Sequence, residues 1–261
     1  MKEPTELEQL VSLVARNPGE AARRLRERSD RTPGTGPLSH LAMLRFDAAR
    51  HGVTGPLTGA GALARTLIES GTPVDGLPED PETPLITAAS YGDAEVARVL
   101  LDAGADLDST ASPDAGGVRG GTALLHAAVF GMTAVLDLLL AAGARVGSLS
   151  EAAAAGTVTG WLTADTPPLD RVRALAMAAD HERLAVIDQL LEARTPIDAE
   201  DTHYRRQALR LAATRGRTRS VAHLLSRGAD PQHRDPFTHR TALEWCRELG
   251  GGTAVEALLT A

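Results

Sequence analysis

The chain has 261 residues, of which 43% are hydrophobic and only 3% aromatic, and its formal net charge is −7. This acidic balance argues against nonspecific binding to nucleic acid or to an anionic membrane. Cys246 is the sole cysteine, which excludes an intramolecular disulfide and favours a reducing cytoplasm. Apart from Lys2, every basic side chain is arginine, a compositional hint of a bacterial source.

The first 36 residues are predicted to be an N-terminal helical cap. Two short helices, over residues 5–16 and 19–28, are separated by Asn17-Pro18-Gly19, a sequence typical of a turn. Their many charged positions suit the solvated outer face that a terminal unit requires. Because the start is amphipathic and acidic, we expect neither a signal peptide nor a membrane-spanning segment.

Residues 37–240 repeat a plan of helix, turn, helix and loop. A first unit opens at Pro37 and contains an irregular insertion over residues 51–59. The most regular copy, residues 82–108, begins its first helix after Thr83 and turns at Gly92. Such a helical pair cannot bury its own apolar face, so it needs copies on either side.

The later copies depart from this plan in several places. A long insertion over residues 109–121 ends in a glycine-rich run that we expect to be a flexible finger. Residues 149–170 are too short for a full unit and predict a truncated repeat with Trp161 and Leu162 packed inward. In the following copy, Glu182 and Arg194 replace the two glycines of the plan. The other units cover residues 120–146, 174–198, 207–231 and 241–261, the last expected to be a C-terminal capping repeat.

The repeated residues resemble those of the ankyrin repeats. The resemblance rests on Thr83-Pro84-Leu85, on the Ala-Ala pairs at the ends of the first helices, and on Leu-Leu-x-x-Gly-Ala-Asp over residues 100–106 and 224–230. It implies an all-α ankyrin-repeat solenoid of about seven helix-turn-helix units, several of them degenerate. It also implies a binding module or scaffold that recognises a protein partner through a concave groove and its hairpin tips.

The resemblance also indicates which positions face a partner. In this family the two positions just before the turn glycine line the groove, and exposed aromatic side chains on a rigid surface anchor partners. If the charged hairpin tips bind, Tyr204 and Arg205 are expected to be further anchors. Carried over residue by residue, the groove positions with predicted partner contacts are Ser90, Tyr91, Val129, Phe130, Asp180, His181, Thr214 and Arg215.

A second hypothesis is a small-molecule binder or an enzyme at the irregular centre of the array. His126, Glu151, Asp180 and His181 fall on successive units, and a carboxylate beside an imidazole can transfer protons. Such an enzyme, for example a cyclase or isomerase, would work by acid–base catalysis without a metal or cofactor. Arrays of this family mostly bind rather than catalyse, so binding remains the preferred interpretation.

Other apparent motifs are rejected. His181-Glu182 begins like a zinc-protease helix, but Ala185 stands where the second histidine ligand is needed. His233, Asp235 and His239 match no known metal-site spacing, so no metal or cofactor is expected. Cys246 occupies a position where the family places a small buried residue, and it is predicted to be a core thiol.

Overall fold

The structure, a computed structural model, describes residues 5–32, 34–52 and 58–261. Their regular secondary structure is helical apart from one short two-stranded pairing and one isolated β-bridge, which confirms the predicted all-α class. They form two compact units, residues 1–145 (unit 1) and 146–261 (unit 2). Most of the predicted insertion at 51–59, and residues 1–4 and 33 of the predicted cap, lie outside the described residues. No helix in the described part of the chain is both long and apolar enough to cross a bilayer.

The described part of unit 1 contains eight helices, which pack in successive pairs along the chain. Asn17 caps the end of the first and the start of the second, so the predicted break at Asn17-Pro18-Gly19 is a single residue wide. The helices are α1 Glu6–Arg16, α2 Pro18–Arg31, α3 Pro37–Arg50, α4 Ala60–Glu69, α5 Pro84–Tyr91, α6 Ala94–Asp102, α7 Ala123–Phe130 and α8 Thr133–Ala141.

The α5–α6 pair shows how the sequence determines these bounds. The Thr83 hydroxyl accepts a hydrogen bond from the Ile86 amide at 3.3 Å, and Pro84 occupies the first helical position. Gly92 ends α5 with φ +76°, a left-handed conformation that costs glycine little. The Asp93 carboxylate then caps α6 by accepting from the Val96 amide at 3.1 Å.

The first and second helices of the pairs form two layers within unit 1. Helices α3, α5 and α7 pack against one another in sequence, as do α4, α6 and α8. Ala88 and Ala89 of α5 and Leu100 of α6 are all fully buried. Small side chains let the helices approach closely, so the core is built from Ala, Leu and Val rather than from aromatic residues.

Unit 2 repeats the two layers with α10, α12 and α14 in one and α11, α13 and α15 in the other. The short pair β1–β2 is antiparallel, with Glu200 opposite Gln207 and Asp201 opposite Arg206. Its elements are α9 Leu149–Ala155, α10 Pro168–Asp180, α11 Leu184–Glu192, β1 Glu200–Asp201, β2 Arg206–Gln207, α12 Ala208–Thr214, α13 Thr218–Ser226, α14 Ala242–Leu249 and α15 Thr253–Thr260.

The segment predicted as a truncated repeat holds one helix, α9, followed by turns up to the start of α10 at Pro168. The predicted inward packing of Trp161 is wrong, because its side chain is 38% exposed, and Leu162 is half-buried. Val158 is buried in this segment instead. Because turns follow α9 here instead of a second helix, Trp161 does not lie on the inner face of a helix.

The insertion at 109–121 is also different from the predicted flexible finger. Thr110 and Thr122 form a β-bridge, and the Ala111 amide donates to the Gly121 carbonyl at 2.9 Å. The Ser112 amide donates to the Pro81 carbonyl at 2.8 Å, which ties the insertion to the preceding loop. These bonds hold the glycine-rich run against α7, where it contacts His126, one of the predicted site residues.

Candidate functional site

We give the name aromatic row to three side chains on consecutive first helices of unit 1: Phe46, Tyr91 and Phe130. Phe46 on α3 is 41% exposed, and its ring centroid lies 4.9 Å from that of Tyr91 on α5. The Arg50 guanidinium lies 5.7 Å from the Phe46 centroid, within the range of a cation–π contact. Burial, assisted by nearby Glu82 and Asp47, raises the pKa of Tyr91, so the phenol stays neutral.

Behind this row, Ser90 and His126 form a hydrogen-bonded pair between α5 and α7. The His126 Nε2 lies 2.9 Å from the Val118 carbonyl oxygen and must therefore be the donor. The Nδ1 of the neutral ring then accepts from the Ser90 hydroxyl at 2.7 Å. Burial lowers the pKa of His126, which keeps the ring neutral near pH 7.

The insertion covers this imidazole. A Cβ at Gly117 would lie 2.8 Å from His126 Cε1, and a Cβ at Gly121 would lie 3.0 Å from His126 Cδ2. Only glycine lets the backbone come this close, and His126 is 0% exposed as a result. Acid–base chemistry at His126 would require residues 111–121 to move away.

In unit 2, Glu151 stabilises the start of its own helix. It is buried on α9, and its Oε2 accepts from the Ser148 hydroxyl at 2.8 Å and from the Gly147 amide at 3.1 Å. Burial raises the pKa of Glu151, while these donors oppose the shift. The geometry is that of a helix N-terminal cap.

Asp180 and His181 lie at the end of α10, both buried. The Arg217 Nε donates to Asp180 Oδ1 at 3.3 Å, and an Arg215 nitrogen lies 3.9 Å from its other oxygen. Asp180 thus anchors two arginines that follow α12. The structure places the acid–base candidates in the interior of their units, and catalysis by them stays a prediction.

The hairpin tip formed by β1 and β2 carries Tyr204 on its outside, 57% exposed. The Arg173 and Arg206 guanidinium groups lie 5.1 and 5.8 Å from its ring centroid. Arg173 also donates to the buried Asp201 at 2.8 Å. Although burial alone would raise the pKa of Asp201, this arginine and the backbone amides of the tip lower it.

Sequence reasoning missed a second cluster in unit 2. Phe237, Trp245 and Leu249 lie around a cavity between α12 and α14, and Arg205 stacks on Phe237. Phe237 and Trp245 are two of only seven aromatic residues in the chain, and their closeness in sequence was the available signal. Of the three residues weighed as metal ligands, Asp235 instead binds the Trp245 indole.

No group of three or more His, Cys, Asp or Glu within the described ranges is arranged to hold a metal ion. Cys246 is fully buried, as predicted for a core thiol, and burial raises its pKa.

Comparisons with known proteins bear on the family. Residues 58–150 match the family model "Ankyrin repeats (3 copies)". No curated protein matches the chain. Among solved structures, the human ASB11 ankyrin repeat domain is 23% identical, with a TM-score of 0.36; the match covers 79% of this chain and 97% of that one. The stretch matched by the family model spans α4 to the start of α9, including the regular α5–α6 and α7–α8 pairs, and there the predicted family is confirmed: residues 58–150 are ankyrin repeats.

Proposed function

We propose that this protein is a cytoplasmic binding module that recognises a protein partner through the aromatic row of unit 1. Ankyrin repeats are generally protein–protein interaction modules. The observation that carries the finer proposal is the exposed Phe46 ring packed against Tyr91, on helices whose backbones are held by a tight core. Rigid, partly exposed aromatic residues are enriched among the residues that dominate binding energy.

The neighbouring predicted contacts support the same surface. Ser90, Val129 and Phe130 are half-buried and belong to α5 and α7, which pack side by side. In unit 2 the half-buried Thr214 and Arg215 and the exposed Tyr204 remain proposed contacts, whereas Asp180 and His181 are buried and cannot touch a partner directly. The net charge of −7 supports a protein partner rather than nucleic acid.

The alternative, a small-molecule binder or a cofactor-independent acid–base enzyme, is not favoured. Its proposed residues His126, Glu151, Asp180 and His181 are each at most 5% exposed. A proton-transfer group must come within hydrogen-bond reach of its substrate, and these positions leave no room for that approach without rearrangement.

The test is partner capture by the tagged full-length chain. We expect the double variant Tyr91→Ala with Phe130→Ala to weaken partner retention about tenfold or more, because truncating an anchor residue removes 1–2 kcal/mol or more of binding energy. Retention is quantified by titrating the immobilised chain with lysate and then with the purified partner.

Trp161→Ala is the matched control, since it removes an exposed aromatic residue outside the aromatic row. Circular dichroism and thermal melting verify that each variant is folded. Equal partner retention by the double variant and the wild type, both folded, would show that the partner does not use this row.

A further inference from the structure

The last hairpins of unit 2 enclose a cavity of about 230 Å³ between α12 and α14, which we name the tip pocket. Phe237 is 45% and Leu249 58% exposed at its mouth. The lining is mainly apolar and includes Leu211, Phe237, Trp245 and Leu249, with Thr214 and Arg205 at the edge. Exposed apolar side chains that surround a cavity, unlike scattered ones, indicate a binding site.

A buried carboxylate fixes the walls of the tip pocket. Asp235 accepts from the Phe237 amide at 2.9 Å, the Thr238 amide at 2.7 Å, the Thr238 hydroxyl and the Trp245 indole nitrogen at 2.9 Å. Although burial opposes it, these donors hold the pKa of Asp235 well below its usual range. The indole is therefore oriented before any ligand arrives, and a pre-organised wall loses little entropy on binding.

The edge of the tip pocket carries an available positive charge. Among the described residues, no carboxylate lies within ion-pair distance of Arg205, whose guanidinium lies 4.6 Å from the Phe237 ring centroid. The neighbouring charges already have partners: Arg210 pairs with Glu200, and Arg240 pairs with Glu248. Asp235 accepts the hydrogen bonds described above. The charge complementary to this edge is an anion.

The backbone at Arg205 is also unusual. Its φ is +51°, a left-handed conformation that glycine adopts more easily, and its carbonyl accepts from the Arg210 side chain at 2.7 Å. Strained non-glycine residues cluster at functional sites. At this position the Arg205 guanidinium lies over the Phe237 ring of the pocket wall.

We propose that the tip pocket binds a segment of a partner protein in which a large apolar side chain adjoins an acidic residue. The apolar side chain enters between Phe237, Trp245 and Leu249, and the carboxylate pairs with Arg205. A volume of about 230 Å³ suits one side chain and lies below the usual range for drug-sized ligands. This site shares no residue with the aromatic row, although Thr214 at its edge is also a contact proposed for unit 2. The two tests change different residues, so either proposal can fail without the other.

The experiment uses the full chain with Trp161→Phe, which leaves Trp245 as its only tryptophan. The probe is a capped, dye-labelled hexapeptide with one leucine between two aspartates. Its binding is measured by the anisotropy of the dye and by the fluorescence emission of Trp245. We expect saturable binding with a shift of the Trp245 emission. Arg205→Gln should weaken binding about tenfold, because a charge-assisted pair is lost. Leu249→Ser, at an exposed position, should weaken it similarly by removing an apolar wall.

The controls separate the two parts of the recognition. Arg219→Gln removes an equal charge from an exposed position on α13 and should leave binding unchanged. The same hexapeptide with asparagine in place of both aspartates should bind the wild type weakly. Its affinity should be about that of the aspartate peptide for the Arg205→Gln variant. The proposal is overturned by absence of saturable binding, by equal binding of a lysine-flanked peptide, or by acetyl-leucine amide binding as tightly as the hexapeptide.

Discussion

At the scale of single residues, His40 is a polar side chain whose burial costs folding free energy. It lies 5% exposed on α3, and neither ring nitrogen has a hydrogen-bond partner among the described residues. Burial, with a smaller contribution from Arg28, lowers the pKa of His40 to about 4. The folded protein therefore holds this ring neutral at pH values where the unfolded chain would protonate it.

This burial predicts an acid-sensitive stability. Because the folded pKa of about 4 lies below the unfolded value of 6.5, the unfolded state binds more protons between these values. The ring's contribution to the free energy of unfolding therefore keeps its full value above pH 6.5 and declines as the pH falls towards 4. The total loss from this one ring is about 3 kcal/mol at most. We expect His40→Leu to flatten the pH dependence in this window, measured by urea unfolding at pH 4.5 and 7.5.

Other groups titrate in the same range, so the comparison is between the two proteins at each pH. His126 has a lowered pKa and contributes in the same direction, whereas the raised pKa of Glu151 contributes in the opposite one. Both are shared by wild type and variant and cancel in the difference. Parallel pH profiles for the two proteins would contradict the assignment to His40.

Arg194 illustrates strain that the sequence alone identifies. The repeat plan places glycine at this position, and the structure shows Arg194 with φ +62° and its side chain exposed. A left-handed non-glycine residue costs about 1 kcal/mol. We expect Arg194→Gly to stabilise the protein by about 0.5–1 kcal/mol and to raise Tm by about 1–4 °C in calorimetry.

Glu182→Gly is an instructive comparison. Glu182 is also left-handed, with φ +54°, but its Oε1 accepts from the Arg219 amide at 3.0 Å. Its replacement relieves strain and removes a bond, so the gain should be smaller than for Arg194→Gly. A lower Tm for Arg194→Gly than for the wild type would exclude strain as the dominant effect.

At the scale of elements, the turn between α14 and α15 is fitted tightly to α12. A Cβ at Gly251 would overlap the Ala213 carbonyl oxygen and would lie 2.7 Å from the Cys246 sulfur. The neighbouring Gly250 and Gly252 have φ +76° and +97°, which glycine tolerates best. Three consecutive glycines thus allow the hairpin to approach its neighbour.

We expect Gly251→Ala to destabilise unit 2 by about 3 kcal/mol, because a backbone carbonyl cannot move aside cheaply. Gly116→Ala is the matched control, since its Cβ would meet nothing within 4 Å and its φ is not left-handed. Chemical denaturation followed by circular dichroism measures both changes. Equal unfolding midpoints for the two variants would refute the close approach at Gly251.

The insertion at 109–121 shows where element-level reasoning from sequence fell short. Its unusual length and glycine content were evident, and they suggested a flexible finger. Its actual position depends on Gly117 and Gly121 lying against His126. Such a contact joins a loop to a helix through shape, and no repeat pattern encodes it.

At the scale of the whole molecule, the fold was predictable because each hairpin carries its own signals. Thr83, Gly92 and the Ala88–Ala89 pair act within a few residues of one another, and copies in register identify the family. The candidate surfaces were less predictable, since they depend on packing between separate segments. Tyr91 was identified from its position in the repeat, whereas the pairing of Arg205 with Phe237 joins two different hairpin tips.

The charges are also unevenly distributed along the chain. Residues 1–145 hold 13 basic and 19 acidic side chains, whereas residues 146–261 hold 14 arginines and 15 acidic side chains. The acidic character is therefore mostly a property of unit 1. An acidic segment would be repelled less by unit 2, which agrees with the partner chemistry proposed for the tip pocket.

The burial of Cys246 gives the protein an intrinsic kinetic probe. Only a thiolate reacts with a disulfide reagent. The Cys246 sulfur is fully buried, and this burial raises the pKa of its thiol. Since the chain has no other thiol, any colour released from such a reagent reports exposure of the Cys246 sulfur, which lies against the Gly252 carbonyl in the α14–α15 turn. The reaction rate in native buffer therefore measures how often the end of unit 2 opens enough to expose this sulfur, without a label or a mutation.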